Sequence, residues 1–176
     1  VCAVRSMMRH RTELVEMTSQ HIQHMHKALT QMNVQIQHVI SDLTGVTGLA
    51  IVDAIIAGGR DPVELAKLRD PHVKASEETI RKSLVGNWRP EHLFTLQQSR
   101  KSYQHYQEQI RSCDEEIEKF LMAFVPWVDP VERPLPPDRK RKQRGRKKKN
   151  VNPKTGFDLR TESYKPFGVD LTQIPG

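Results

Sequence analysis

Two stretches of this chain alternate apolar residues three and four positions apart, and that spacing restricts the fold more than any other feature. The first stretch carries Met8, Val15, Ile22, Leu29, Ile36 and Leu43 at one heptad position and Val4, Arg11, Thr18, Met25, Met32 and Val39 at the other. Only Arg11 and Thr18 interrupt it. The second carries Leu96, Tyr103, Ile110, Ile117 and Phe124, interleaved with Ser99, Tyr106, Cys113 and Phe120. A stripe of period 3.5 makes an α-helix that must supercoil against another helix to leave water, whereas an ordinary amphipathic helix drifts toward a wider face of period 3.6. The spacing therefore predicts an all-α chain built on a long antiparallel helical hairpin of coiled-coil character. These seam residues are the expected packing and oligomerisation surface.

Punctuation between the stretches places the remaining elements. The first helix is expected over Ala3–Ser41, which at ~1.5 Å per residue spans about 60 Å, with Leu43-Thr44-Gly45 ending it. Leu49–Ala57 reads as a short apolar helix closed by Gly58-Gly59. Asp61-Pro62, a capping acid before a proline suited to the first helical position, opens a helix through Leu68. Ser76, followed by Glu77, Glu78 and Thr79, opens another to about Val85. These three small helices cap one end of the hairpin, whose second arm runs from Glu91 to Phe124 before Pro126. Residues 1–125 are thus a helical connector with a small insert at about 45–88. Residues 126–156 form a proline-rich and basic linker, disordered by composition, and one further short helix is expected over Phe157–Tyr164.

Charge is distributed unevenly along the chain. Of 28 Lys and Arg residues, nine are Arg139, Lys140, Arg141, Lys142, Arg144, Arg146, Lys147, Lys148 and Lys149. The remainder holds 19 basic against 21 acidic residues, so the net charge of +7 belongs to one patch. Such a run has the chemistry of an arm that grips phosphates, giving affinity without sequence choice. A solvated linker or a localisation address has the same composition.

Other clusters carry less. His10, His21, His24, His26 and His38 crowd the first helix, three of them within six residues, but no acid or thiol accompanies them at metal-ligand spacing. Partner contacts, hydrogen bonds or RNA stacking suit them better than a metal. Gly45-Val46-Thr47-Gly48 is either a glycine turn facing a phosphate or a sharp connection between helices. Asp114, Glu115, Glu116 and Glu118 read as the solvated flank of the second seam. No catalytic constellation and no metal site emerges. Cys2 and Cys113 are expected to be reduced thiols in a cytoplasmic setting. No apolar run reaches the ~18 residues of a membrane span.

Several segments in order resemble the insertion sequence 110 family of transposases. They are His21-Ile22-Gln23-His24-Met25, Lys27-Ala28-Leu29-Thr30-Gln31-Met32-Asn33, Ser41-Asp42-Leu43-Thr44-Gly45-Val46-Thr47-Gly48, Arg69-Asp70-Pro71, Lys74-Ala75-Ser76 and Arg89-Pro90-Glu91-His92-Leu93-Phe94. The stretch from Gly168 to Gly176 looks like the opening of that family's C-terminal domain, which would make 157–176 its first residues. The resemblance implies a bacterial, cytoplasmic recombinase with an acidic RuvC-like domain, a coiled-coil connector and a serine domain, in some members guided by a structured RNA. This chain would then be an internal piece, with the acidic site before Val1 and the serine after Gly176. No catalytic residue is carried onto it, and a divalent metal such as Mg would belong to the missing domain. The implied partners are DNA, structured guide RNA and further copies of the chain. A stand-alone coiled-coil protein, either structural or nucleic-acid-binding, is the competing reading.

Overall fold

The computed structural model describes residues 2–136 and 155–170, and every regular element among them is helical. In chain order these are α1 (Cys2–Gln31), a 3-10 turn (Ile36–His38), α2 (Val46–Ile56), α3 (Pro62–Ala66), α4 (Glu77–Ser83), α5 (Pro90–Met122) and α6 (Leu159–Phe167). No helix among the described residues is long and apolar enough to cross a membrane. The chain divides into two compact units, one of Val1–Glu16 with Tyr106–Gly176 and one of Met17–His105. Helices α1 and α5 contribute to both, and α1 packs against α5 as the heptads require.

In the unit of Met17–His105, α1 and α5 share a core with α2, α3 and α4. Met25, Leu29, Met32, Ile36, Ile51, Ile55, Ile80, Leu84 and Leu96 are all fully buried in it. Each such side chain contributes ~1.5–3 kcal/mol on leaving water, so this core is the main source of the unit's stability. The small helices start where the chain's capping residues lie. Asp61 accepts from the Val63 amide at 2.9 Å, and Ser76 accepts from the Thr79 amide at 3.2 Å. On the surface, Arg100 forms a two-pronged ion pair with Asp53, and the Arg60 guanidinium lies 5.0 Å from the Trp88 ring centre.

Helix α1 ends ten residues before the expected Ser41. The stop is local. Asn33 adopts φ 59°, the Val34 amide bonds back to the Leu29 carbonyl, and the Asn33 amide bonds to that of Thr30. This is the Schellman arrangement, in which a left-handed residue satisfies the last carbonyls of a helix. Val34 and Leu29, the positions that usually pair in this motif, are both completely buried in one core. Met32, Ile36 and Leu43 are buried and Val39 partly so, but they enter this core from a turn and irregular chain instead of continuing a helical seam. Likewise α5 stops at Met122, leaving Phe124 just beyond it.

Glycine is required at Gly48, inside α2, where an added Cβ would lie 2.2 Å from the Leu43 carbonyl oxygen. Alanine is normally favoured over glycine in a helix by about 1 kcal/mol. Here the clash with backbone reverses the sign. Gly48→Ala is therefore expected to lower the stability of the Met17–His105 unit by ~1–3 kcal/mol; a urea midpoint equal to or above that of the wild type would refute the close approach.

Candidate nucleic-acid interface

The basic residues from Arg139 to Lys149 lie outside the described residues, but the chain on either side of them is held within one unit. Before the run, the Pro136 carbonyl accepts from Arg160 Nη2 at 2.5 Å, and Arg160 Nε also donates to Asp170. After it, the Gly156 amide donates to Asp114 Oδ2 at 3.1 Å. The expected linker also begins with tied residues: the Trp127 and Val128 amides both donate to the Lys165 carbonyl, and Val128 is buried. Its first residues are thus structured against α6, contrary to the expectation from composition alone.

Helix α6 overlaps the expected Phe157–Tyr164 helix but is shifted toward the C-terminus. Asp158 caps it, and the Thr161 hydroxyl and amide hold the Asp158 carboxyl below the usual carboxylate range. Pro166 occupies its last turn, and Gly168 closes it with φ 64°. Phe157, Leu159 and Phe167 pack on a small core of Val4, Ile117 and Leu121, joined by Met7, Met8, Cys113 and Phe120. Phe124 stacks edgewise on Phe120 and contacts Phe167, with ring centres 5.3 and 5.7 Å apart. Further along the same pair of helices, Leu14 and Val15 pack on Ile110, with Tyr106 beside them. Rising numbers on α1 meet falling numbers on α5, so the two helices run antiparallel here.

Between these two apolar clusters lies one of the two residues that interrupted the first seam. Arg11 is 3% exposed and meets Asp114, 6% exposed, through Nε to Oδ1 at 2.5 Å and Nη2 to Oδ2 at 3.1 Å. Asp114 is therefore not part of a solvated flank; it faces inward and neutralises the arginine. Glu115 and Glu116 are exposed as the charge pattern suggested. The clue lay in the register: Arg11 occupies a seam position, and a buried guanidinium needs a carboxylate within reach.

The apolar seam residues named from the sequence pack within their own chain. Ile22, Met25, Leu29, Met32, Ile36, Val39, Leu43, Leu96 and Tyr103 belong to the large core, Met8, Ile117 and Phe120 to the core under α6, and Val15, Tyr106 and Ile110 to the third cluster. The buried face is also wider than two heptad positions, because Leu14, Ala28 and Leu121 are buried beside the seam.

Among the histidines, one pair comes together. His21 and His24 stand edge to face with ring centres 5.6 Å apart, and burial, with the neighbouring His24, pushes the His21 pKa down. His21 thus favours its neutral form and is a poor electrostatic partner for phosphate. His10 lies on the surface near Glu13. Among the described residues, no three His, Cys, Asp or Glu side chains are placed to hold a metal. The Gly45–Gly48 segment acts as a tight connection: Thr47 is buried and accepts from the Asp70 amide, and Gly48 lies against Leu43. Burial, and secondarily Asp114, raises the pKa of the Cys113 thiol, which suppresses its reactivity. In comparisons with known proteins, the chain matched no family model, no curated protein and no solved structure.

Truncating one member of a buried ion pair leaves the other charged without its principal counter-charge, at a cost of ~3–5 kcal/mol, whereas replacing both with apolar residues is often neutral. Asp114→Ala should therefore destabilise the chain by that amount in thermal denaturation, and the Arg11→Met, Asp114→Leu pair should recover most of it. Equal losses in the single and double variants would remove the ion pair from this account.

Proposed function

We propose that this chain is a helical connector of a DNA transposase of the insertion sequence 110 type, and that the run from Arg139 to Lys149 grips the phosphate backbone of DNA or of a structured guide RNA. The observation that carries the binding half is nine cations in eleven residues without an acid among them. The ordered agreement of segments between His21 and Phe94 carries the transposase half. The packing of α1 on α5 supports the connector role, since paired helices are stiffer than a single strand of linker. The bonds at Pro136 and Gly156 support the binding role, because they tie both flanks of the run to one unit.

In this reading the chain supplies spacing and backbone affinity. The reaction chemistry, and any divalent metal it uses, belongs to other parts of the protein, and no residue here is assigned a catalytic role. Assembly with further copies of the chain is the second part of the proposal. A recombinase must hold two reaction centres at a set separation on paired duplexes, and a self-associating connector meets that need.

Binding to duplex DNA and to structured RNA, followed across a salt series, tests the reading. With about six phosphate contacts, the affinity of the intact chain should fall roughly a thousandfold between 50 and 200 mM salt. Exchanging the nine cations for glutamine should flatten that dependence; an unchanged slope would exclude the run from the interface.

A further inference from the structure

We propose that residues 155–170 form a releasable strap that keeps the α1/α5 seam of their own unit covered against a second copy of this chain. The inference rests on the assembly part of the reading above and adds a means of controlling it. Two packed helices cover only one side of each other's apolar stripe, and the rest needs another layer. In this unit that layer is α6. With Phe157 just before it, the helix places Leu159 and Phe167 on Val4, Ile117 and Leu121.

The strap is short, and its polar ties are to neighbouring chain as well as to the seam: the Trp127 and Val128 amides donate to the Lys165 carbonyl, and Arg160 reaches Pro136 and Asp170. Helix α6 has nine residues with Pro166 in its last turn, too short to persist once undocked. Its three apolar anchors are each only partly buried, and Tyr164 is the one large side chain on it that is fully enclosed. At its start the Gly156 amide donates to Asp114 Oδ2, the same oxygen that receives Arg11 Nη2. The buried ion pair between the long helices is thereby also the latch of the strap. A short element whose apolar anchors on the seam are only partly buried opens locally at lower free energy than the core around it.

The surface beneath is suited to a copy of itself. Identical stripes related by a two-fold axis can complete a four-helix bundle in place of the strap. The flanking charges match as well. On α1, Arg5 and Arg9 are exposed with no acid from Val1 to Thr12, while α5 exposes Glu115 and Glu116 beside the same seam. A two-fold pairing that sets α1 of one copy beside α5 of the other brings opposite signs together.

Hydrogen exchange and sedimentation velocity on the full chain test this, with Gly156→Pro removing the donor to Asp114 while leaving the Arg11 pair intact. Phe157→Ser, which loosens an apolar anchor but keeps that bond, serves as the second variant. Amides of α2 report whether the rest of the chain remains folded. The expected result is exchange over 159–167 faster by about tenfold, as for one lost hydrogen bond to a carboxylate, with unchanged α2 protection and a mass rising toward the dimer with concentration. Unchanged exchange over 159–167 in both variants overturns the strap. Faster exchange with a mass that stays monomeric overturns it together with the assembly reading. A wild-type chain that already sediments as a dimer with α6 protected overturns the strap alone.

Discussion

A helix with a broad apolar stripe cannot be satisfied by one neighbour, and most of this structure follows from that constraint. Helices α1 and α5 hide part of each other's stripe and then require a third layer along their lengths. In the unit of Met17–His105 the layer is the trio α2, α3 and α4, which closes a core with Met25, Leu29 and Leu96 at its centre. In the other unit it is the single short helix α6 over Val4, Ile117 and Leu121. The first core holds sixteen buried apolar residues and the second three, each joined by partly buried neighbours.

Polar insertion into an apolar seam normally weakens it, and Arg11 shows how the cost is contained. Its guanidinium meets the carboxylate of Asp114 in a two-pronged contact between a hydrophobic cluster at Leu14, Val15 and Ile110 and another at Val4 and Ile117. Such a pair adds little net stability compared with leucines. It does penalise slippage, since moving either helix by one turn would strand both charges among methyl groups. A buried ionic contact of this kind selects register and orientation more than it strengthens packing.

Much of the fold was legible in the sequence because its signals were local. Asp61-Pro62 and Ser76 mark helix starts through side-chain geometry that needs no distant partner, and both proved to be caps. The heptads announced α1 and α5 for the same reason. The end of α1 was not legible. Apolar spacing continues through Met32, Ile36 and Leu43 because those side chains serve one core, while the backbone conformation of Asn33 breaks the helix beneath an unbroken pattern. Asp114 was misread because its neighbours Glu115 and Glu116 are exposed acids, and its inward orientation is set by Arg11, 103 residues earlier. The basic run was legible as composition, yet the bonds at its flanks involve Arg160 and Asp114, which no short-range pattern connects to it.

Those flanking bonds have a thermodynamic consequence. Contacts at Pro136 and Gly156 anchor the chain before and after residues 137–154 on a common base. Bringing two ends of a chain together costs an entropy that grows with the logarithm of the intervening length. Folding of this unit has already met that cost, so in the proposed binding role a polyanion would not have to draw the ends together itself. Under the proposed phosphate binding, a loop whose ends are already fixed would make each successive contact more nearly intramolecular, raising avidity without adding a single new charge.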